Sequence, residues 1–102
     1  MVTLHTVNKT PFERGSLASC LKYAACGAVV LLIEDGVYAA VTGSEGAKLL
    51  ATRAHEIRIC VLGPDLEARG IGAARLMAGL EIVDYEQFVV LAAQCARVQS
   101  WL

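Results

Sequence analysis

The 102-residue sequence lacks several things, and each absence narrows what the chain can be. Its longest stretch free of polar side chains, Ala24 to Ile33, is well short of the roughly 18–20 apolar residues that a membrane-spanning helix needs. No block of like charge exceeds two residues, and nine basic side chains against ten acidic ones leave a net charge of −1. Without a basic stripe, direct nucleic-acid binding is not expected. No pair among Cys20, Cys26, Cys60 and Cys95 has Cys-x-x-Cys spacing, so neither a zinc site nor a thioredoxin-type dithiol is indicated. The opening residues Met1-Val2-Thr3-Leu4-His5 place no basic region ahead of an apolar block. No secretion signal is therefore expected, and the four thiols should be reduced in the cytoplasm.

What is present is apolar. The hydrophobic fraction is 56% and the mean hydropathy +0.53, above the ~45–50% usual for soluble chains. With a membrane span excluded, the surplus is expected to be buried against other subunits. The length suits a single domain over residues 1–102. The most telling segment is Ala28 to Ile33, six apolar residues that stop abruptly at Glu34-Asp35-Gly36. A short run of this kind, bounded by turn residues, reads as a strand buried on both faces.

Other elements follow in order. Val2 to Val7 suits a first strand. Thr10-Pro11-Phe12-Glu13 has the form of a capping box, predicting a helix from about Pro11 to Ala25 with Leu17, Leu21 and Ala24 inward and Gly27 as its stop. A short helical segment is expected over Gly36–Val41. Ser44 should cap a second helix from Glu45 to about Ala54, with Leu49 and Leu50 inward. Ile57–Leu62 reads as the third strand, and Gly63-Pro64-Asp65 as the turn into a short helix ending near Gly70. Ala73–Met77 fits helix or loop equally. Glu81-Ile82-Val83 is a short fourth strand, and Asp84-Tyr85-Glu86-Gln87 a second capping box that opens a helix to about Cys95, with Val98–Leu102 as a tail. Strands alternating with helices imply an α/β fold: a small, flavodoxin-like, doubly wound parallel sheet with helices on both faces.

The polar residues give few chemical signals by themselves. Glu34 and Asp35 have no third ligand nearby, so Asp35 is read as a cap for the segment from Gly36, with Glu34 in solvent or an interface. A receiver domain would need an acidic pair after the first strand, where Asn8-Lys9 stands. Gly70-Ile71-Gly72 lacks the third glycine of a dinucleotide loop. His5, in a strand, reads as a hydrogen-bonded structural group, and His55 lies near a helix end. Trp101-Leu102 is expected to dock on its own fold or on a neighbour. Cys60, inside a strand, reads as core, and Cys26 and Cys95 as packing residues.

Four segments in order carry a resemblance. They are Leu4–Phe12 (LHTVNKTPF), Leu31–Ala40 (LLIEDGVYAA), Val61–Gly70 (VLGPDLEARG), and Asp84–Val89 (DYEQFV) with the closing Gln99-Ser100-Trp101-Leu102. Together they resemble the DsrH/TusB family, the smallest subunit of the DsrEFH and TusBCD sulfur-relay complexes. The resemblance implies a flavodoxin-like fold and a cytoplasmic heterohexamer with DsrE/TusD-like and DsrF/TusC-like subunits. It also implies passage of persulfide sulfur to a downstream acceptor protein, with no cofactor, no metal and no direct contact with nucleic acid or membrane. The main relay cysteine of the family lies on the DsrE/TusD subunit. Cys20 matches a first-helix cysteine of the DsrH branch that TusB members typically lack. It is thereby the candidate persulfide carrier, and it tilts the expectation toward dissimilatory sulfur oxidation. The alternatives are the tRNA 2-thiouridine relay and a purely architectural subunit that carries no sulfur. Mid-helix placement gives Cys20 no help from the helix dipole in forming a thiolate, and three residues after Leu17, on the edge of the apolar stripe, it also reads as a small, semi-buried packing residue.

Overall fold

The apolar run at Ala28–Ile33 forms the middle of a five-stranded, all-parallel sheet in a computed structural model that describes residues 2–11 and 15–102. The strands are β1 (Thr3–Val7), β2 (Val29–Leu32), β3 (Arg58–Leu62), β4 (Glu81–Val83) and β5 (Arg97–Trp101), in the spatial order β4-β3-β2-β1-β5. Between them run α1 (Ser16–Tyr23), α2 (Glu45–Ala51), α3 (Gly63–Ala68) and α4 (Tyr85–Gln94). Two 3-10 segments, Glu34–Ala40 and Ala73–Arg75, complete the described elements.

The topology explains how the helices divide. The crossovers β1–β2, β2–β3 and β3–β4 all step in one direction along the sheet, and right-handed connections place their helices on one face. The return from β4 to β5 runs the other way and carries α4 across the opposite face. Side chains alternate accordingly. Val7, Val30, Leu32, Ile59 and Val61 pack with Leu17, Leu21, Leu50 and Leu66 of the first three helices. Leu4, Val29, Leu31, Cys60 and Leu62 pack on the other face with Leu91 of α4. A strand whose odd and even residues both meet helices cannot show an apolar–polar alternation, which is why β2 is an unbroken apolar run.

Several ends of elements follow the expected local chemistry. The Ser44 hydroxyl accepts the Ala47 N–H at 3.1 Å and caps α2. At α4 the capping box is complete: the Asp84 carboxylate accepts the Gln87 N–H at 2.7 Å, and the Gln87 side chain accepts the Asp84 N–H at 2.9 Å. Other expectations need correction. α1 begins at Ser16 and ends at Tyr23, not over Pro11–Ala25. Phe12 and Glu13 of the proposed capping box lie outside the described residues. Residues 97–101 form a fifth strand rather than a tail, because β1 otherwise has an unpaired edge. Their polar pattern, Arg-Val-Gln-Ser-Trp, hides the strand, since an edge strand needs less apolar cover than a central one.

β5 is fixed by side chains as well as by its ladder. The Trp101 indole N–H donates to His5 Nδ1 at 3.0 Å, the Thr6 hydroxyl to the Ser100 hydroxyl at 3.3 Å, and the Ser16 hydroxyl to the Leu102 carbonyl at 3.0 Å. His5 is buried, and burial lowers its pKa from the ordinary 6.5. The Trp101 bond also requires Nδ1 without a proton, so the imidazole is neutral with its proton on Nε2.

Two predictions follow from this packing. A Cβ on Gly36 would lie 2.1 Å from the Val7 carbonyl oxygen, a backbone atom that cannot give way. Gly36→Ala should therefore cost on the order of 3 kcal/mol and lower the thermal midpoint by roughly 12 °C or more. His5 has a depressed folded pKa, so its contribution to stability is fully present above about pH 6.5 and is lost as pH falls through the lower folded value. Urea midpoints measured from pH 7.5 down to 5 should fall in the native chain. The slope should flatten in His5→Asn, which keeps an acceptor for Trp101 and does not titrate.

Candidate functional site

Cys20 lies on α1 with no measurable exposure, among the residues that pack between that helix and the sheet. Loss of solvation pushes its thiol up to about 12, and the nearby Arg53 guanidinium only partly opposes this. Burial thus disfavours the thiolate at neutral pH. The thiolate is the reactive form. In this conformation Cys20 is buried and its thiol is held protonated.

The other thiols divide by position. Cys60 is buried in β3, as expected, and burial pushes it up to about 11, with Glu81 adding to the effect and Arg58 opposing it. Cys95 is half-buried against the α4-side core. Cys26 is exposed, contrary to the packing role expected for it, because α1 has already ended at Tyr23 and the chain is turning toward β2.

Arg53 is the residue of this region that inspection of the sequence passes over. Its guanidinium donates to the Leu21 carbonyl and, at 2.9 Å, to the Ala24 carbonyl. It also pairs with Glu56 at 2.9 Å. The C-terminal carbonyls of α1 have no partners within the helix, so one planar fork from the turn after α2 satisfies two of them and balances the negative end of the helix. No spacing rule links positions 21, 24 and 53, so the sequence gives no signal of it.

The second polar group gathers where the strands end, the usual place for chemistry in open α/β sheets. Glu34 has a left-handed backbone, with φ +51, and its N–H donates to the Asp65 carboxylate at 2.6 Å. Arg69 holds Asp35 through two contacts of 3.0 Å. Asn8 donates to Glu34 at 3.4 Å. Asp35 is thus not the expected cap: Ile33 occupies the N-cap position, and Asp35 lies inside the 3-10 segment as the partner of Arg69. These groups join the ends of β1, β2 and β3 to one another. Among the described residues no cluster of His, Cys, Asp or Glu could hold a metal ion. Gly70-Ile71-Gly72 is a turn whose isoleucine enters the core. His55 is exposed beside Glu56.

With this geometry in view, comparison with known proteins is decisive. The family described as DsrH like protein matches residues 9–98. The chain belongs to that family. The DsrH-like chain is 40% identical over 98 residues to protein TusB of Erwinia tasmaniensis, spanning 96% of this chain and 99% of that one. It is 33% identical, with the same coverage, to protein TusB of an Escherichia coli O81 strain. The lean toward sulfur oxidation, which rested on Cys20, finds no support in relatives that carry the TusB name. Two solved structures share the fold of the DsrH-like chain at 15% identity. MTH1491 of Methanobacterium thermoautotrophicum, a protein of unknown function, aligns with a TM-score of 0.75 over 96% of this chain and 97% of that one. The ychN protein of E. coli aligns with a TM-score of 0.69 over 97% of each.

Arg53→Ala should cost about 1.5–3 kcal/mol, the range for hydrogen bonds to a charged group, measurable as a fall in urea midpoint. Arg53→Lys should recover little of it, since one ammonium cannot reproduce the planar fork.

Proposed function

We propose that this chain is the TusB-type subunit of a sulfur-relay complex serving tRNA 2-thiouridine formation, acting beside TusC- and TusD-like partners in a cytoplasmic heterohexamer. The observation that carries the reading is agreement over nearly the whole length with proteins named TusB. The surface supports it as well. α4 carries a single charged residue, Glu86, and its apolar side chains Tyr85, Val89 and Val90 are all exposed. A helix so poor in charge on its outer side suits a subunit that meets others there. Among the described residues no helix is long and apolar enough to cross a membrane.

Two roles for Cys20 remain within this reading. As a carrier it would attack the outer sulfur of a partner's persulfide as a thiolate, taking up that sulfur and releasing the partner's thiolate. As a packing residue it would carry nothing. Its burial, with the thiol pushed up to about 12, favours the packing role in the closed form.

In an E. coli strain lacking its own TusB, this chain should restore 2-thiouridine in tRNA, read by nucleoside mass spectrometry. Cys20→Ser should restore it equally. Failure of a soluble Cys20→Ser chain, with the native chain active, would assign the chemistry to that thiol. Failure of the native chain would overturn the relay reading.

A further inference from the structure

Cys20 and Cys60 are equally buried, but what covers them differs. Cys60 lies in β3, flanked by β2 and β4, with α4 above it. Reaching it means lifting α4 from the opposite face of the sheet. Cys20 lies on α1, beside the edge of the sheet. Ser16, one turn before it, holds the Leu102 carbonyl at 3.0 Å. Tyr23, three residues after it, meets the Trp101 ring edge-on with centroids 5.9 Å apart. Residues at positions 16, 20 and 23 share one helix face. The two contacts that tie the end of β5 to α1 therefore stand on either side of Cys20, and Trp101 itself packs against the core cluster that contains the thiol.

We propose that Trp101 and Leu102 form a strap over Cys20, and that the strap lifts as a unit, opening the thiol while the rest of the domain stays folded. Beyond the ladder that pairs Trp101 with Val7, its fastenings are few. β5 is an edge strand, paired with β1 alone. The strap closes on α1 through the Ser16 bond and the Tyr23 contact, and on β1 through the Trp101–His5 bond at 3.0 Å. The parts around it are open to water: Leu102 is 75% exposed, Tyr23 68% and Val98 50%. An exposed edge is one of the features that set a segment at the low end of local stability. The proposal goes beyond the relay reading. It concerns access to Cys20 and holds whether or not sulfur reaches that thiol.

The test is thiol labelling of the full chain with N-ethylmaleimide at neutral pH, followed in time by peptide mass mapping. Exposed Cys26 reports reagent activity, and Cys60 reports global unfolding. Cys20 should label about tenfold or more faster than Cys60. Ser16→Ala, which removes one fastening, should speed Cys20 by about tenfold, the worth of one hydrogen bond, and Trp101→Ala, which removes two, by at least as much, with Cys60 within about twofold of its native rate. Ser16→Ala deletes only a hydroxyl and keeps the test usable should Trp101→Ala fail to fold. Equal rates for Cys20 and Cys60 in the native chain, or a joint rise in the variants, would overturn the strap. Sulfur transfer plays no part in the readout, so failure here is distinct from failure of the relay reading.

Discussion

The rest of the structure depends on burial of the central strands on both faces. β2 and β3 present almost no side chain to water, apart from Arg58 at the start of β3, so each strand requires helices above and below it. That requirement forces crossovers in both directions along the sheet and keeps polar side chains out of β2 and, past Arg58, out of β3. It also explains the cysteines. A thiol is small and apolar enough for a doubly covered strand such as β3, and the desolvation that makes Cys60 acceptable there keeps it protonated.

The two halves of the molecule are covered unequally. α1, α2 and α3 share one face, with the Glu34–Ala40 segment and the Arg53 fork filling the gaps between them. The other face has α4 alone among the described helices, and that helix is apolar on its outer side as well. The high hydropathy of the chain is thus not spread evenly. The thin side keeps an apolar exterior, in line with a chain that works within an assembly.

Much of this was legible in the sequence because the signals were local. The β2 run, the Ser44 cap and the Asp84–Gln87 box each lie within a few residues and have one physical meaning. What escaped was non-local. β5 is called into being by the open edge of β1, more than ninety residues away in the chain, and its own residues favour no single state. The partnership of Asp35 with Arg69 replaced an expected cap because a left-handed Glu34 rotates the backbone before Asp35 can act as one. Cys20 was legible as a position on a family pattern. Its depth in the core was not, since burial on an edge helix depends on whether a fifth strand is there to cover it.

The pairing of β1 with β5 also bears on how the chain comes into being. Thr3 lies opposite Arg97, so β1 gains its second neighbour only after β2, β3, β4 and the helices between them have been made. During synthesis, which proceeds at roughly 5–20 residues per second, β1 can pair with β2 early but keeps one bare edge for several seconds. Such an edge is a template for any other extended segment, from the ribosome's other products or from a neighbouring subunit. The nascent protein therefore passes through a stage in which its correct closure competes with intermolecular pairing, and prompt arrival of β5 decides the outcome.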